Sequence, residues 1–409
     1  MKSYASLLRT PGVARIIAAQ LTARFPQGML SLAFLLHVHH MLGSYGAAGL
    51  VLAATSLGQA ISGPLTSRWM GVWGMRRVLT LTLTVCVASI ATIALAPLTL
   101  PMYMIVGLIG GLSTPPIQPA VRTIYPKLVN STQLTPLFSL DASAQEIIWI
   151  AGPVITTFLA VQISTVLAIL VAAGFLIGGG IWFIASPEVG RVRIPRSRRA
   201  FGSVLRRPAV LLSTVVGFLL VGSCAAVEAG VVAAFGNSGP QAGIVLAIWA
   251  IGSIVGGLSL GNIPIGPWAL SRRMLGVFVG LALAMAFPLV APDGDHFWWI
   301  TITLLIAGIG IAPALAVIFA IVSSSVKFSD TAEAYGWVGT GQLIGAALGS
   351  AAAGFLIDAH GAIGGFWAAA SLAALGFLVP TVFRRAHPDL RGRDASPIAD
   401  TEPVPVQPS

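Results

Sequence analysis

A helix that crosses a bilayer needs about 20 mostly apolar residues, and this 409-residue chain offers twelve such stretches with little between them. They fall at residues 11–39, 46–68, 78–97, 101–124, 136–161 and 164–186, then at 208–235, 239–261, 274–291, 297–322, 332–358 and 362–383. Inside hydrocarbon every backbone N–H and C=O must be satisfied within the chain, so segments of this kind are helices. The chain is therefore expected to be an all-α polytopic membrane protein. A mean hydropathy of +0.89 with only 9% charged residues agrees, because no ordinary soluble domain approaches those values. The 46 glycines and 26 prolines would break soluble helices, but both residues are commoner in membrane spans. The polar start, residues 1–9, leads directly into a full-length span, which argues against a cleaved leader.

One long polar interval divides the apolar stretches into two sets of six. Residues 188–207 carry seven arginines against one glutamate, too many to lie in hydrocarbon. The expected organisation is a six-helix half at 1–187, a basic linker at 188–207, a second six-helix half at 208–384 and a disordered tail at 385–409. The net charge of +10 is no nucleic-acid footprint, since it sits in short loops of alternate sidedness. Arg68, Arg76, Arg77, Arg122, Lys127, Arg272, Arg273 and Lys327 flank the loops on the linker side, whereas the intervening loops hold no Lys or Arg. The positive-inside rule places both termini and the linker in the cytoplasm, the protein being a multi-pass component of the cytoplasmic membrane.

The two halves repeat each other. Gly49, Leu52, Ala53, Gly58 and Gly63 meet Gly243, Leu246, Ala247, Gly252 and Gly257 at one constant offset. At a slightly larger constant offset Gly111, Pro116, Gln145, Gly152, Phe158 and Leu159 meet Gly308, Pro313, Gln342, Gly349, Phe355 and Leu356. Two pseudo-symmetric halves in the same orientation follow, with a substrate site expected between them near the bilayer midplane.

At this point the chain resembles the major facilitator superfamily over almost its full length. The family's loop motif between spans two and three, roughly G-x-x-x-D-R-x-G-x-R-R, lies on residues 67–77. Gly74, Arg76 and Arg77 match, while Gly71 and Val72 replace its Asp-Arg pair. The antiporter motif of span five survives as Gly152-Pro153, with Ile148 and Thr156 at positions that would be glycine. The resemblance implies the major facilitator fold, a twelve-helix monomer that carries small molecules by rocking its halves, with the span two–three loop contributing to a gate.

The repeat also sorts packing from function. Shared residues are mostly Gly, Ala and Pro, which let helices approach or bend. Buried charges are not shared: Arg24 has Phe218 as its counterpart, Glu228 has Phe34, Glu146 has Leu343, Arg122 has Phe319 and Asp141 has Val338. Gln20, Arg24, Gln27 and Ser31 recur at spacings that put them on one face of span one. A charge at mid-bilayer costs about 2.5–3.5 kcal/mol on insertion scales, so Arg24 is expected to face a cavity or a counter-ion. Helical rise puts Glu146 at a similar depth on span five, a neighbour of span one in the fold that the resemblance implies. An Arg24–Glu146 pair is thus the expected coupling site, protonation of Glu146 releasing Arg24 to a ligand. Arg122 is level with Asp141, giving a clamp or an inner gate. Glu228 is expected in the outer part of span seven as a second protonation or gate residue. Gln118, Gln342, Trp149 and Trp337 are further candidates for the walls of the substrate site.

Other chemistry is not indicated. The three histidines at 37, 39 and 40 have no second cluster to make a metal site, and Cys86 and Cys224 lie in apolar runs. No nucleotide-binding loop, His-Glu helix motif or Gly-x-Ser-x-Gly elbow is present, so the reading is of a non-enzyme that takes no cofactor and binds no nucleic acid. Proton-coupled efflux of a small amphiphilic or polar compound is the first expectation, with membrane lipid and protons as the other partners. Import or exchange of sugars or organic anions is the alternative, and a non-transporting sensor or scaffold the reading from another class.

Overall fold

The computed structural model describes residues 2–235, 241–290, 296–392 and 395–400. A short helix α1 (Lys2–Arg9) packs on the first span, which is broken. Its two parts, α2 (Val13–Arg24) and α3 (Leu30–Leu42), are separated by a 3-10 turn over Phe25–Gly28. Pro26 accounts for the break, since it offers no N–H and cannot continue a helix undisturbed. Arg24 is consequently the last residue of α2.

The first half continues with α4 (Tyr45–Trp73), α5 (Met75–Leu95), α6 (Leu100–Leu112) and α7 (Ile117–Leu128) in one span broken at Pro115-Pro116, then α8 (Ser131–Gln162) and α9 (Thr165–Ala185). A one-turn helix α10 (Pro187–Arg191) opens the linker. The second half holds α11 (Pro208–Phe235), α12 (Gln241–Leu260), α13 (Ala269–Ala284) with α14 (Phe287–Val290), α15 (Phe297–Gly308) with α16 (Ile311–Ser325), α17 (Thr331–His360) and α18 (Ala362–Val382). Eleven described segments are long and apolar enough to cross a membrane, and the broken first span makes the twelfth. Large apolar side chains such as Leu57, Val154, Phe158, Leu348 and Phe355 are exposed on the helices, a surface that water would not tolerate and lipid would.

The repeat is visible in the packing. Gly58 and Gly111 bring α4 and α6 into backbone contact, and their equivalents Gly252 and Gly308 do the same for α12 and α15. Gly152 on α8 lies against the backbone of Gly28, and its equivalent Gly349 against that of Gly222. A methyl group at any of these positions would meet main chain.

The halves meet at two interfaces that the same repeat relates. On one, Gly63 of α4 faces Gly336 and Thr340 of α17; on the other, Gly257 of α12 faces Ser143 and Ser139 of α8. Residues 63, 336 and 340 map by the repeat onto 257, 139 and 143. Hydrogen bonds that join the halves include those from Tyr4 Oη and Ser139 Oγ to the Gly257 carbonyl at 3.4 and 2.5 Å, from Thr340 Oγ1 to the Ala60 carbonyl at 2.7 Å, and from Arg68 Nη1 to Glu333 Oε2 at 2.8 Å. Each lies between the middle of its helix and the face that carries the linker. By contrast α3 and α11 pack chiefly within their own halves. The molecule is sealed at the linker face and parted at the opposite one.

The linker and tail reinforce the seal. Glu333 and Asp330, at the start of α17 and just before it, are 3% and 1% exposed. Glu333 accepts from Arg68 and from the Gly202 N–H of the linker at 2.7 Å, while Asp330 accepts from Ser197 Oγ at 2.5 Å and lies 3.7 Å from Arg199. The tail, expected to be disordered, makes contacts at residues 385–392 and 395–400, while residues 393 and 394 lie outside the described ones. Ile398 exchanges backbone hydrogen bonds with Val326 and Phe328, and the Asp400 carboxylate takes the Ser329 hydroxyl at 2.6 Å. Residues 401–409 of the expected tail lie outside the described ones.

Candidate functional site

Five polar side chains from three helices converge on Asp141, which is fully buried. Its Oδ1 accepts from Gln20 Nε2 at 3.0 Å and from Tyr125 Oη at 3.1 Å, and its Oδ2 accepts from Arg122 Nε and Gln145 Nε2, each at 3.4 Å. Arg24 Nη1 stands 4.0 Å from Oδ1. The geometry follows from helix spacing: Gln20 and Arg24 are one turn apart on α2, Asp141 and Gln145 one turn apart on α8, and Arg122 and Tyr125 one turn apart on α7.

The expected Arg24–Glu146 pair is not formed. Arg24 donates to Gln20 Oε1 at 2.9 Å and to Gln145 Oε1 at 2.7 Å instead. Successive residues on a helix point about 100° apart, so the face of α8 that turns Gln145 and Asp141 toward span one turns Glu146 away from it. Glu146 crosses to the other half, where Ser253 Oγ of α12 donates to its Oε1 at 2.7 Å. Ser253 Oγ also accepts the Ala312 N–H at 3.1 Å, which fixes its proton toward Glu146. Depth alone suggests the pairing with Arg24; helical phase decides against it.

Arg122 is 1% exposed and packs against the opposite half. Its guanidinium carbon lies 3.3 Å from the ring centroid of Phe319 on α16 and 5.9 Å from that of Tyr335 on α17. Gln118, in the amide orientation that satisfies both its ends, accepts from Arg122 Nη2 and Nη1 at 2.6 and 2.8 Å. Arg122 and Asp141 are thus a buried pair and not a solvated one.

The remaining candidates divide. Gln27 and Ser31 are exposed one and two turns beyond Arg24, on the parted side, and Trp149 is 53% exposed one turn beyond Glu146. Glu228, expected far out along span seven, is instead within electrostatic range of Glu146 and is exposed. Gln342 lies half-buried against Gly217 of α11. Trp337 is not a cavity residue: its ring packs 5.7 Å from that of Phe201, under the linker. Gly74 adopts a left-handed-side φ of 88° between α4 and α5, and Arg76 caps α9 by donating to the carbonyls of Ile184 and Ser186 at 3.1 and 3.2 Å. Arg77 is exposed. Gly74 and Arg76 act within their own half, and among the described residues the ion pair across the halves is that of Arg68 with Glu333. Sequence reasoning missed Ser253, Tyr125 and Phe319; only the last carried a signal, as the repeat equivalent of Arg122. No group of three or more metal-ligating side chains occurs among the described residues. His37 is a buried peg bonded to Thr165 and the Ile93 carbonyl, each at 3.0 Å.

Twelve spans in two repeated halves, sealed on one face around a buried polar cluster, are the architecture of a membrane transporter. The chain belongs to the Major Facilitator Superfamily, whose family profile matches residues 16–232 and 223–407. It is a secondary transporter of small molecules and no enzyme. Among solved structures it is similar to the human organic anion transporter MFSD10 (TETRAN), at 18% identity and a TM-score of 0.65 over 90% of this chain and 100% of that one. It is also similar to a bacterial homologue of the iron transporter ferroportin in its outward-facing state, at 12% identity and a TM-score of 0.72 over 91% and 99% of the two chains. No curated protein sequence matches significantly.

Proposed function

We propose that the protein exports a small polar or amphiphilic compound across the cytoplasmic membrane in exchange for protons, as a monomer with its termini and linker in the cytoplasm. The observation that carries this reading is the hydrogen bond between Glu146 and Ser253. It sits at the inner limit of the gap between the halves, with Glu228 nearby and no cationic partner for either carboxylate among the described residues. The repeat equivalents of Glu146 and Ser253 are Leu343 and Gln59, so the two otherwise matching interfaces differ here by an ionisable group.

The chemistry is simple. A carboxylate accepting a hydroxyl forms a charge-assisted hydrogen bond, roughly twice as strong as its neutral version. Protonation of Glu146 from the parted face weakens a bond that holds the halves together, and so favours opening at the linker face. Release of the proton there restores the bond and the seal. Proton movement inward is thus tied to exposure of the site to the cytoplasm, where an exported compound is collected. The concentration of Lys and Arg in the linker-side loops supports the orientation.

Proteoliposomes loaded with a pH-sensitive dye provide the test, with a panel of lipophilic cations, antibiotics, sugars and carboxylates. A compound exported by the wild type should move protons in the opposite sense, and Glu146→Gln should carry it without proton movement or fail to carry it. Wild-type coupling retained in Glu146→Gln would sink the proposal.

A further inference from the structure

The charges of the buried cluster do not balance. Arg24 and Arg122 contribute +2 and Asp141 contributes −1, and Asp141 is the one carboxylate within ion-pair distance of either guanidinium among the described residues. Asp141 is committed to Arg122 and to three neutral donors, Gln20, Tyr125 and Gln145. Arg24 has no carboxylate of its own. It is held in place by two neutral amide oxygens, on Gln20 and Gln145, and its buried Nε has no partner at all. A buried cation without an anion is strongly unfavourable, and the three charged residues all face apolar equivalents in the other half, Phe218, Phe319 and Val338.

The surplus charge is also reachable. Arg24 and Gln145 retain 4% and 7% exposure, whereas Gln20 and Asp141 behind them have none. Gln27, in the 3-10 turn just past Arg24, is exposed, as is Ser31 in the first turn of α3. The polar residues of span one thus run from the exposed Gln27 and Ser31 to a guanidinium fixed at the end of α2. A planar fork held rigidly by flanking amides is pre-organised for a carboxylate, which it can bind through two parallel hydrogen bonds.

We propose that Arg24, presented by Gln20 and Gln145 beside the Arg122–Asp141 pair, binds a small monocarboxylate that enters along the Gln27–Ser31 face. One negative charge cancels the surplus of one. A carboxylate oxygen displaces the neutral Gln145 oxygen and brings an acceptor to the orphaned Nε. Phe319 and Tyr335 close the far side of Arg122, so the ligand is held above the seal until the halves part at the linker face. That such an acid is carried as substrate rests on the proposed transport function, but the binding itself does not require transport.

Purified full-length protein in detergent tests this with acetate, benzoate and 2-naphthoate, each against its carboxamide, and with sodium chloride at equal ionic strength. At least one acid should raise the melting temperature in a saturable way while its amide and chloride do not. Arg24→Gln should abolish that shift. Gln145→Glu places a carboxylate of the chain itself beside Arg24; it should melt higher than the wild type and no longer respond to the acid. Equal effects of acid and amide, no response to any of the three acids, or a Gln145→Glu protein that still responds would each overturn the proposal. An acid that binds wild type while proteoliposomes show no proton-linked flux would leave this site standing and remove the coupling reading instead.

Discussion

Arg122 and Phe319 occupy equivalent positions in the two halves and touch each other, the guanidinium carbon 3.3 Å from the centre of the ring. In a molecule whose halves are related by a pseudo-two-fold axis, a residue that contacts its own equivalent lies on that axis. The pair therefore marks the middle of the linker-face seal, with the equivalent α4–α17 and α8–α12 contacts on either side. Because the two positions differ in identity, one half supplies the cation and the other the aromatic face. A desolvated cation–π contact is worth about 0.5–2 kcal/mol.

Phe319→Leu should keep the packing and remove most of that attraction. A change of about 1 kcal/mol alters a two-state population roughly five-fold, and here it should favour parting at the linker face. Ser139 is fully buried in the seal, so Ser139→Cys in a background lacking Cys86 and Cys224 reports it. Faster maleimide labelling is expected when Phe319→Leu is added; an unchanged rate would show that Phe319 only fills space.

The Arg68–Glu333 ion pair joins α4 to α17 at the edge of the same seal. Arg68 is 23% exposed, so solvent screens the pair and a double-mutant cycle should return only about 0.5–1 kcal/mol of coupling. Glu333→Ala should nevertheless cost more than Arg68→Ala. It removes the acceptor of the Gly202 N–H as well, and a stranded buried donor costs about 1–3 kcal/mol. Thermal melts of the two single variants and the double variant decide the order.

Ser253 separates the hydrogen bond from the titrating group. Ser253→Ala loses the bond to Glu146 and the acceptor of the Ala312 N–H but leaves the carboxyl in place. Proton coupling should persist, with the balance shifted toward the linker-open state and faster hydrogen exchange at the start of α16. Glu146→Gln should keep a neutral hydrogen bond to Ser253, behave at every pH like the protonated form, and abolish the pH dependence. If both variants lose coupling equally, the carboxyl group is not the element that carries the proton.

The fold was legible because its determinants are one-dimensional. Span length follows from bilayer thickness, and the repeat is a matter of residue identity at constant offsets, so Gly58 and Gly252 or Gly152 and Gly349 announce equivalent crossings by themselves. The site was half legible. Depth can be counted along a helix, which places Arg122 level with Asp141 and Arg24 level with Glu146. Azimuth cannot be read so easily when a span is broken at Pro26 and another at Pro115-Pro116, and azimuth is what turns Glu146 to Ser253 and leaves Arg24 to Gln145. Contacts between halves depend on the conformational state, a property of the whole assembly. This is why Phe319, apolar in an apolar span, gives no sign of its role beyond its equivalence to Arg122. Composition misjudges the tail for a related reason, since Ile398 and Asp400 are held by the loop between α16 and α17.

Docking of the first part of the tail, where the Leu390 N–H bonds the Ile265 carbonyl, should respond to acid through His387. The imidazole is buried at the start of the tail, 4% exposed, and its Nε2 has no partner. Burial holds its pKa below the usual 6.5, although the Pro388 carbonyl and the Asp389 charge oppose the shift. A histidine whose folded pKa is depressed binds its proton more readily when undocked. Its neutral form therefore favours docking above the ordinary value, and that contribution is lost as the pH falls through 6.5 toward the folded pKa. Tail segment 387–392 should thus exchange amide hydrogens and admit protease faster at pH 5.5 than at pH 7.5 in the wild type, after correction for intrinsic rates. His387→Gln, which cannot titrate, should remove most of that difference. Asp400→Asn should loosen the tail at both values, because it weakens the acceptor of the Ser329 N–H and hydroxyl without adding a titrating group in this range. A pH difference that survives in His387→Gln would assign the sensitivity to another group.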